Sequence, residues 1–285
     1  MRPDAGSGVA TAKRTMERER KHAHMAENLF DLSGKVALVT GANSGLGYGF
    51  AEALARAGSD LIIWGRRADA NERAAEKLRV FGGRVHVDSI DVKDEASIVR
   101  GVESALAVMG RIDTVVANAG IANQVPFQEM DSIIYHDLLN VNLHGSVFTL
   151  REVAKHMIAR ADAGDPGGSM ILCGSGSIFQ GVPTMAHYAI AKGALNSLAK
   201  TLASELGPKG VRCNVIAPGF IITEMTMANP EIGKMIADIV AAKAPLGRAG
   251  NPDDLWGAVV YLASDLSRYH TGDTLIIDGG KIANN

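Results

Sequence analysis

Cysteine is scarce: the 285 residues hold two, Cys173 and Cys213. Neither belongs to a C-x-x-C pair or a dense framework, so disulfides and thiolate metal sites are excluded and a reducing, cytoplasmic setting fits. Both lie in short apolar runs, where a thiol behaves as a small buried hydrophobe. Charge of one sign is missing too. Lysine and arginine total 29 against 31 aspartates and glutamates, a formal net charge of -2. That leaves no basic footprint for nucleic acid or an anionic membrane. No apolar run approaches the roughly 18 residues that span a bilayer, and the N-terminus has no apolar stretch of the secretory kind. No internal repeat of solenoid length occurs. A soluble protein working on a small molecule is what these absences leave.

Residues 1–30 differ from the rest, being polar, rich in small residues and mildly basic through Lys13, Arg14, Arg18, Arg20 and Lys21. They read as a disordered extension ahead of one catalytic domain over residues 31–285. Met16 and Met25 are alternative starts, and an amphipathic targeting helix is the rival, opposed by Glu17, Glu19 and Glu27. His22 and His24 read as solvated rather than metal-binding, and no metal site is expected anywhere.

From Lys35 onward, short β-branched runs alternate with longer helical patterns, the signature of repeated βαβ units in an α/β fold. The expected strands are Val36–Thr40, Asp60–Trp64, Arg84–Asp88, Thr114–Ala117, Ser169–Cys173, Arg212–Ile216 and Thr274–Ile277. They predict one doubly wound, Rossmann-type sheet of about seven parallel strands with helices on both faces. Helices are expected over Leu46–Ala57, Asp69–Val80, Asp94–Met109, Ser132–Arg160, Met185–Leu206 and Pro252–Ala263. The stretch 222–250, with Met225, Met227 and Met235 between the breakers Pro230 and Pro245, interrupts the pattern. It reads as a substrate lid, with a plain packing insertion as the alternative.

Chemistry concentrates at the ends of the expected strands. After the first comes Thr40-Gly41-Ala42-Asn43-Ser44-Gly45-Leu46-Gly47, and then a helix. Glycine there permits positive φ and lets backbone N–H groups approach a pyrophosphate at a helix N-terminus. The spacing differs from G-x-G-x-x-G, but its position on the first strand points to a dinucleotide. Asp91 and Val92, after the third strand, are placed to meet an adenine, and Asn118-Ala119-Gly120 to border the cleft. The second strand ends Trp64-Gly65-Arg66-Arg67, without the carboxylate that would bind a ribose 2′-OH. Arg66 could hold a 2′-phosphate bidentately, so NADP(H) is favoured over NAD(H). The alternative is that both arginines merely solvate the next helix.

Tyr188 and Lys192 stand four apart near the start of a helix, on one face. A tyrosine with an ordinary pKa near 10 is a poor base at neutral pH. A cation about 4 Å away, at an effective dielectric of ~20, is worth roughly 4 kcal/mol to the phenolate. Ser175 ends the fifth strand, 13 positions before Tyr188. Asn142 lies inside an expected helix, where asparagine forms helix poorly and suggests a polar role.

With these motifs in this order, residues 32–280 resemble the classical short-chain dehydrogenases/reductases (SDR family). The resemblance implies Tyr188 as acid/base, Lys192 favouring its ionised form and binding the nicotinamide ribose, Ser175 polarising the substrate and Asn142 holding a relay water. It also implies that Ile221 and Thr223, after Pro218-Gly219, meet the nicotinamide carboxamide, and that the protein is a homotetramer packed through the long helices. Departures are small. Ala117 precedes Asn118 where many members have asparagine, and Ser177 rivals Ser175, which keeps the family's spacing to the tyrosine. His187 points about 100° away from Tyr188 and reads as a pocket wall or interface contact.

The expected activity is reversible hydride transfer between NADP(H) or NAD(H) and a ketone or secondary alcohol. Asn123, Gln124, Phe179, Gln180 and the methionine-rich stretch would line the pocket. Asn123 and Gln124 tilt the reading toward a sugar or sugar acid over a 3-ketoacyl thioester. A non-catalytic dinucleotide-binding regulator is the reading from another class.

Overall fold

The computed structural model describes residues 29–284. Of the expected tail, residues 1–28 lie outside the described residues, with the alternative starts and His22 and His24; Leu29 and Phe30 form an exposed turn. Seven strands form one sheet: β1 (Val36–Thr40), β2 (Asp60–Gly65), β3 (Val85–Ser89), β4 (Thr114–Ala117), β5 (Gly168–Cys173), β6 (Val211–Pro218) and β7 (Thr274–Ile277). Their order is β3-β2-β1-β4-β5-β6-β7, every pair parallel. The expected doubly wound sheet is therefore present. Strand order reverses between β1 and β4, so a cleft opens beyond their carboxyl ends.

Side chains that alternate along each strand feed two apolar layers. Leu38, Trp64, Val115 and Leu172 face one with Ile98, Leu150 and Leu195; Val39, Ile63, Val116 and Ile171 face the other with Phe50, Leu54 and Leu262. Each such side chain contributes roughly 1.5–3 kcal/mol on burial, and both faces are covered, which is why the strands read as unbroken apolar runs.

The helices are α1 (Gly45–Arg56), α2 (Ala68–Arg79), α3 (Glu95–Met109), α4 (Ser132–Leu139), α5 (Gly145–Asp162), α6 (Ala186–Leu206), α7 (Pro230–Lys243) and α8 (Trp256–Ala263). Three differ from expectation. The single helix Ser132–Arg160 is two, joined by a π-helical turn at Asn140–His144. The segment starting at Pro252 opens as a 3-10 turn, Pro252–Leu255, before α8. Inside 222–250 lies α7, not foreseen, because Pro230 was read as a breaker. It is instead a helix start, behind the N-cap Asn229, whose side chain accepts from Ile232 N at 3.2 Å.

At the amino ends of the strands, Asp113 accepts from Val36 N at 2.9 Å and pairs with Arg111 at 2.6 Å and Arg160 at 3.0 Å. Beside it, His156 Nε2 accepts from Ile112 N at 3.2 Å. This polar bolt holds the sheet at the end away from the cleft.

Candidate active site

Thr40 begins the site. Its Oγ1 accepts from Asn118 N at 3.0 Å and Ala119 N at 2.9 Å, and Asn118 Nδ2 returns a bond to Thr40 O at 3.0 Å. The carboxyl ends of β1 and β4 are thereby clasped across the reversal point. Gly41 and Gly45 turn with φ of 66° and 54°, which a side chain would resist. At Gly47 a Cβ would lie 2.1 Å from Gly41 O, so loop and helix touch backbone to backbone. Helix α1 starts at Ser44 with no side-chain cap and no acidic residue in its first turn. Its open N–H groups and positive dipole end are suited to a phosphate, which is how these residues fit a dinucleotide.

Asn43 does more than sit in the loop. Its Nδ2 donates to Asn71 Oδ1 at 2.7 Å, while buried Asn71 donates to Gly65 O at 2.8 Å and Asp88 O at 3.1 Å. The glycine loop is tied to the ends of β2 and β3 through Asn71, a residue the sequence reading missed. Its signal was a polar side chain on the apolar face of a helix. Arg66 and Arg67 follow β2, both exposed, and neither pairs with a carboxylate among the described residues. Asp91 caps its own turn, accepting from Lys93 N at 3.0 Å. Val92 is buried against Gly145, where a Cβ would come within 2.8 Å of it.

On the other side of the cleft, Ser175 follows β5 and Gly174. Its Oγ accepts from Ser177 N at 3.1 Å and from Ser177 Oγ at 2.9 Å. With both lone pairs engaged, the hydroxyl keeps its own proton to donate outward. Ser177 thereby orients the Ser175 hydroxyl. Tyr188 and Lys192 lie in the first two turns of α6. Lys192, 4% exposed, places Nζ 5.8 Å from the Tyr188 ring centroid and donates to Cys173 O at 2.7 Å. That carbonyl, at the end of β5, fixes the ammonium beside the tyrosine. Burial raises the thiols of Cys173 and Cys213, the latter to about 12, so both stay protonated and inert.

Asn142 sits in the π-helical turn, fully buried. Its Oδ1 accepts from Ile121 N at 2.8 Å and its Nδ2 donates to Ile121 O at 2.9 Å. The side chain is committed to the β4 loop, and it fixes Gly120-Ile121 at the cleft. Extra turns of this kind recur where a helix serves a site.

His187 is completely buried, and Nε2 contacts Asn123 Oδ1 at 2.7 Å. Burial lowers its pKa, so the neutral ring donates from Nε2. Asn123 is therefore partly engaged by the helix rather than wholly turned to substrate.

The last wall comes from the β6 end. Gly219 N donates to Ile277 O at 2.9 Å, and buried Ile221 bridges Gly250 in parallel. Thr223 N donates to Thr226 Oγ1 at 2.9 Å, and Thr226 Oγ1 donates to Ile221 O at 2.8 Å. Thr226 was not singled out in the sequence, since a threonine in a loop carries no pattern. Thr223 Cβ stands 3.5 Å from where a Cβ on Gly45 would be. The glycine loop and the start of 222–250 thus face each other across one narrow cleft.

A dinucleotide cradle facing an oriented Ser-Tyr-Lys set is matched by the comparisons. The family model described as Enoyl-(Acyl carrier protein) reductase matches residues 41–281. The 2-dehydro-3-deoxy-D-gluconate 5-dehydrogenase of Pseudoalteromonas atlantica is 36% identical over 252 residues, 88% of this chain and 97% of the relative. The chain belongs to the short-chain dehydrogenase/reductase family. A 3-oxoacyl-(acyl-carrier-protein) reductase of Chlamydia pneumoniae is 33% identical, covering 87% of this chain and 97% of that protein. The crystal structure of a gluconate 5-dehydrogenase from Burkholderia cenocepacia J2315, in complex with NADP and tartrate, superposes with a TM-score of 0.85. Identity to it is 33%, over 90% of this chain and 99% of the other. The enzyme is an NAD(P)-dependent oxidoreductase acting on CH–OH and C=O groups. Among the described residues no helix is long and apolar enough to cross a membrane, and no cluster of residues could hold a metal ion.

Proposed function

We propose that the enzyme interconverts a secondary alcohol and a ketone on a polyhydroxy acid or sugar, with NADP(H) preferred over NAD(H). The observation that carries the chemistry is the convergence of Ser175, its proton free to donate, with Tyr188 and Lys192 at the carboxyl end of β5. The nicotinamide, when bound, supplies or accepts the hydride at the substrate carbon. Ser175 donates a hydrogen bond to the substrate oxygen. Tyr188 delivers a proton to that oxygen in reduction and removes it in oxidation, while the Lys192 charge stabilises the phenolate. Asn142 keeps the β4 loop in place through Ile121.

Gly41, Asn43, Ser44, Gly45, Leu46 and Gly47 form the pyrophosphate cradle in this reading. Asp91 and Val92 flank the adenine; Asn118, Ala119 and Gly120, with Pro218, Gly219, Ile221 and Thr223, line the nicotinamide end. The preference for NADP(H) rests on Arg66, exposed and unpaired with acid, where no carboxylate would repel a 2′-phosphate. Residues 222–250 act as the lid, with Met225 and Met235 as its adaptable apolar surface. Exposed Ile133 on α4 and Ile190 on α6 support a homotetramer packed through these helices. Two buried free cysteines support work in the reducing cytoplasm.

The sugar-acid reading draws on the gluconate-type relatives. A second reading, reduction of a 3-oxoacyl thioester, draws on the acyl-carrier-protein reductase relative and the family description. Tyr188→Phe is the test of mechanism: kcat falls by orders of magnitude while NADPH binding stays within about three-fold. Turnover near wild type in that variant would refute the role, and binding without turnover in the wild type across all substrates would favour a regulator.

A further inference from the structure

The chain after β7 turns back onto the active-site end of the sheet. Asp278 builds the turn, its Oδ1 accepting from Gly280 N at 2.8 Å and its Oδ2 from Ile282 N at 2.7 Å. Gly279 and Gly280 lie in the left-handed region, with φ of 68° and 83°. At Gly219 a Cβ would come within 2.7 Å of Asp278 Cβ, so the turn sits hard against the Pro218-Gly219 corner. Beyond it, Ile282 Cδ1 lies 3.3 Å from where a Cβ on Gly176 would be, directly behind Ser175. Leu246 N donates to Gly279 O at 3.1 Å, and Asn284 Nδ2 donates to Lys243 O at 3.1 Å. The turn thereby brackets the Ser175 loop on one side and the end of α7 on the other.

Lys281 projects from this bracket. Its Nζ donates to Gln180 Oε1 at 2.6 Å, at the end of the short helical turn that Ser175 starts. Both oxygens of the nearest acid in sequence, Asp278, serve the backbone of the turn. Among the described residues Lys281 makes no ion pair. An ammonium has three donors, and the amide oxygen takes one. A partly buried cation, held by a neutral neighbour on the rim of an active site, is arranged for an anion that comes from outside. Oxidation of a hydroxyl needs no such cation; recognition of a charged substrate does.

We propose that Lys281 is the specificity-determining residue that binds the carboxylate of a sugar-acid substrate, anchoring the far end of the molecule while Ser175 and Tyr188 address the reacting carbon. The inference rests on the sugar-acid reading given above. Because Lys281 is fixed between the Ser175 loop and the end of α7, the carboxylate also joins two walls of the pocket.

The test uses the full chain with NADP+ and two substrates that differ only at C1, D-gluconate and D-glucitol, on wild type, Lys281→Ala and Lys281→Arg. Alanine should raise KM for gluconate about 10- to 100-fold, the size of one charge-assisted hydrogen bond, with kcat within about three-fold. Arginine should recover most of that loss, and the ratio of gluconate to glucitol kcat/KM should fall with alanine. Unfolding temperature and NADPH affinity, measured alongside, identify a variant that has failed to fold, in which case Lys281→Met, which keeps the stem and removes the charge, replaces alanine in the comparison. An unmoved gluconate KM, a loss shared equally by glucitol, or no recovery by arginine overturns the lysine's role and leaves the sugar-acid reading intact. A wild type that ignores gluconate but reduces a neutral 3-oxoacyl thioester overturns both.

Discussion

Gly47→Ala places a methyl group where the structure has no room. The new Cβ would lie 2.1 Å from Gly41 O and 2.5 Å from Asn118 Nδ2. Neither neighbour can retreat cheaply. Asn118 Nδ2 holds Thr40 O, and Thr40 Oγ1 in turn holds the N–H groups of Asn118 and Ala119. Reaching an ordinary carbon contact requires α1 and its loop to separate by about 1 Å, through a clasp that joins β1 to β4. Overpacking of this kind costs about 1–3 kcal/mol of stability, hence a fall in unfolding temperature of roughly 2–10 °C for a domain of this size. The larger effect falls on binding. The N–H groups that would meet a pyrophosphate belong to the loop that moves, and losing one hydrogen bond to a charged phosphate, about 1.5–3 kcal/mol, is worth roughly 10- to 150-fold in affinity. Titration of NADPH by fluorescence should show that loss of affinity. Gly257→Ala is the control: Gly257 lies in α8, exposed, with nothing within 4 Å of a new Cβ. It should bind NADPH like wild type and be more stable by about 0.5–1 kcal/mol. If Gly47→Ala binds NADPH within three-fold of wild type and melts at the same temperature, the backbone-contact account of the cradle is wrong.

Arg66→Ala should lower kcat/KM for NADP+ about ten-fold or more while leaving NAD+ nearly unchanged; a wild type with equal preference refutes the 2′-phosphate assignment. Ser175→Ala should abolish turnover, whereas Ser177→Ala should lower kcat only about ten-fold by releasing the Ser175 hydroxyl. The reverse order in steady-state assays would exchange their roles. Acid should weaken the fold through His156, whose pKa burial lowers and whose Nε2 accepts from Ile112 N. The unfolded chain then binds the proton more readily, so this contribution is present above about pH 6.5 and lost as pH falls below it. Buried His187 titrates in the same sense. Melting temperatures from pH 7.5 to 5.5 should fall less steeply for His156→Gln than for wild type, and identical slopes would exclude the histidine.

Much of this enzyme was legible in one dimension. Two-faced burial makes strands read as apolar runs, so all seven were placed within a residue or two of their ends, and β1, β4 and β7 were placed to the residue. The glycine loop was legible because left-handed turns and close backbone approach demand glycine at fixed spacing. Tyr188 and Lys192 share a face because a helix repeats every 3.6 residues. What failed did so for local physical reasons. A π-helical turn adds a residue without any composition of its own, so Asn140–His144 passed for ordinary helix. Proline is equally at home in a loop and at a helix start, and only the Asn229 cap shows which applies at Pro230.

The sequence by itself determined the elements, the sheet class and the set of chemical groups, because each depends on neighbours close along the chain. Tertiary structure decided what each group is free to do. Asn142 is committed to Ile121, and Asn43 to Asn71, 28 positions away. Ser175 accepts from Ser177, the direction that leaves its own proton to donate. Lys281 reached the rim of the site across 101 positions of chain. Hydrogen bonds and charges act over a few ångströms in space, whatever the distance along the chain, so their assignment waits for the fold.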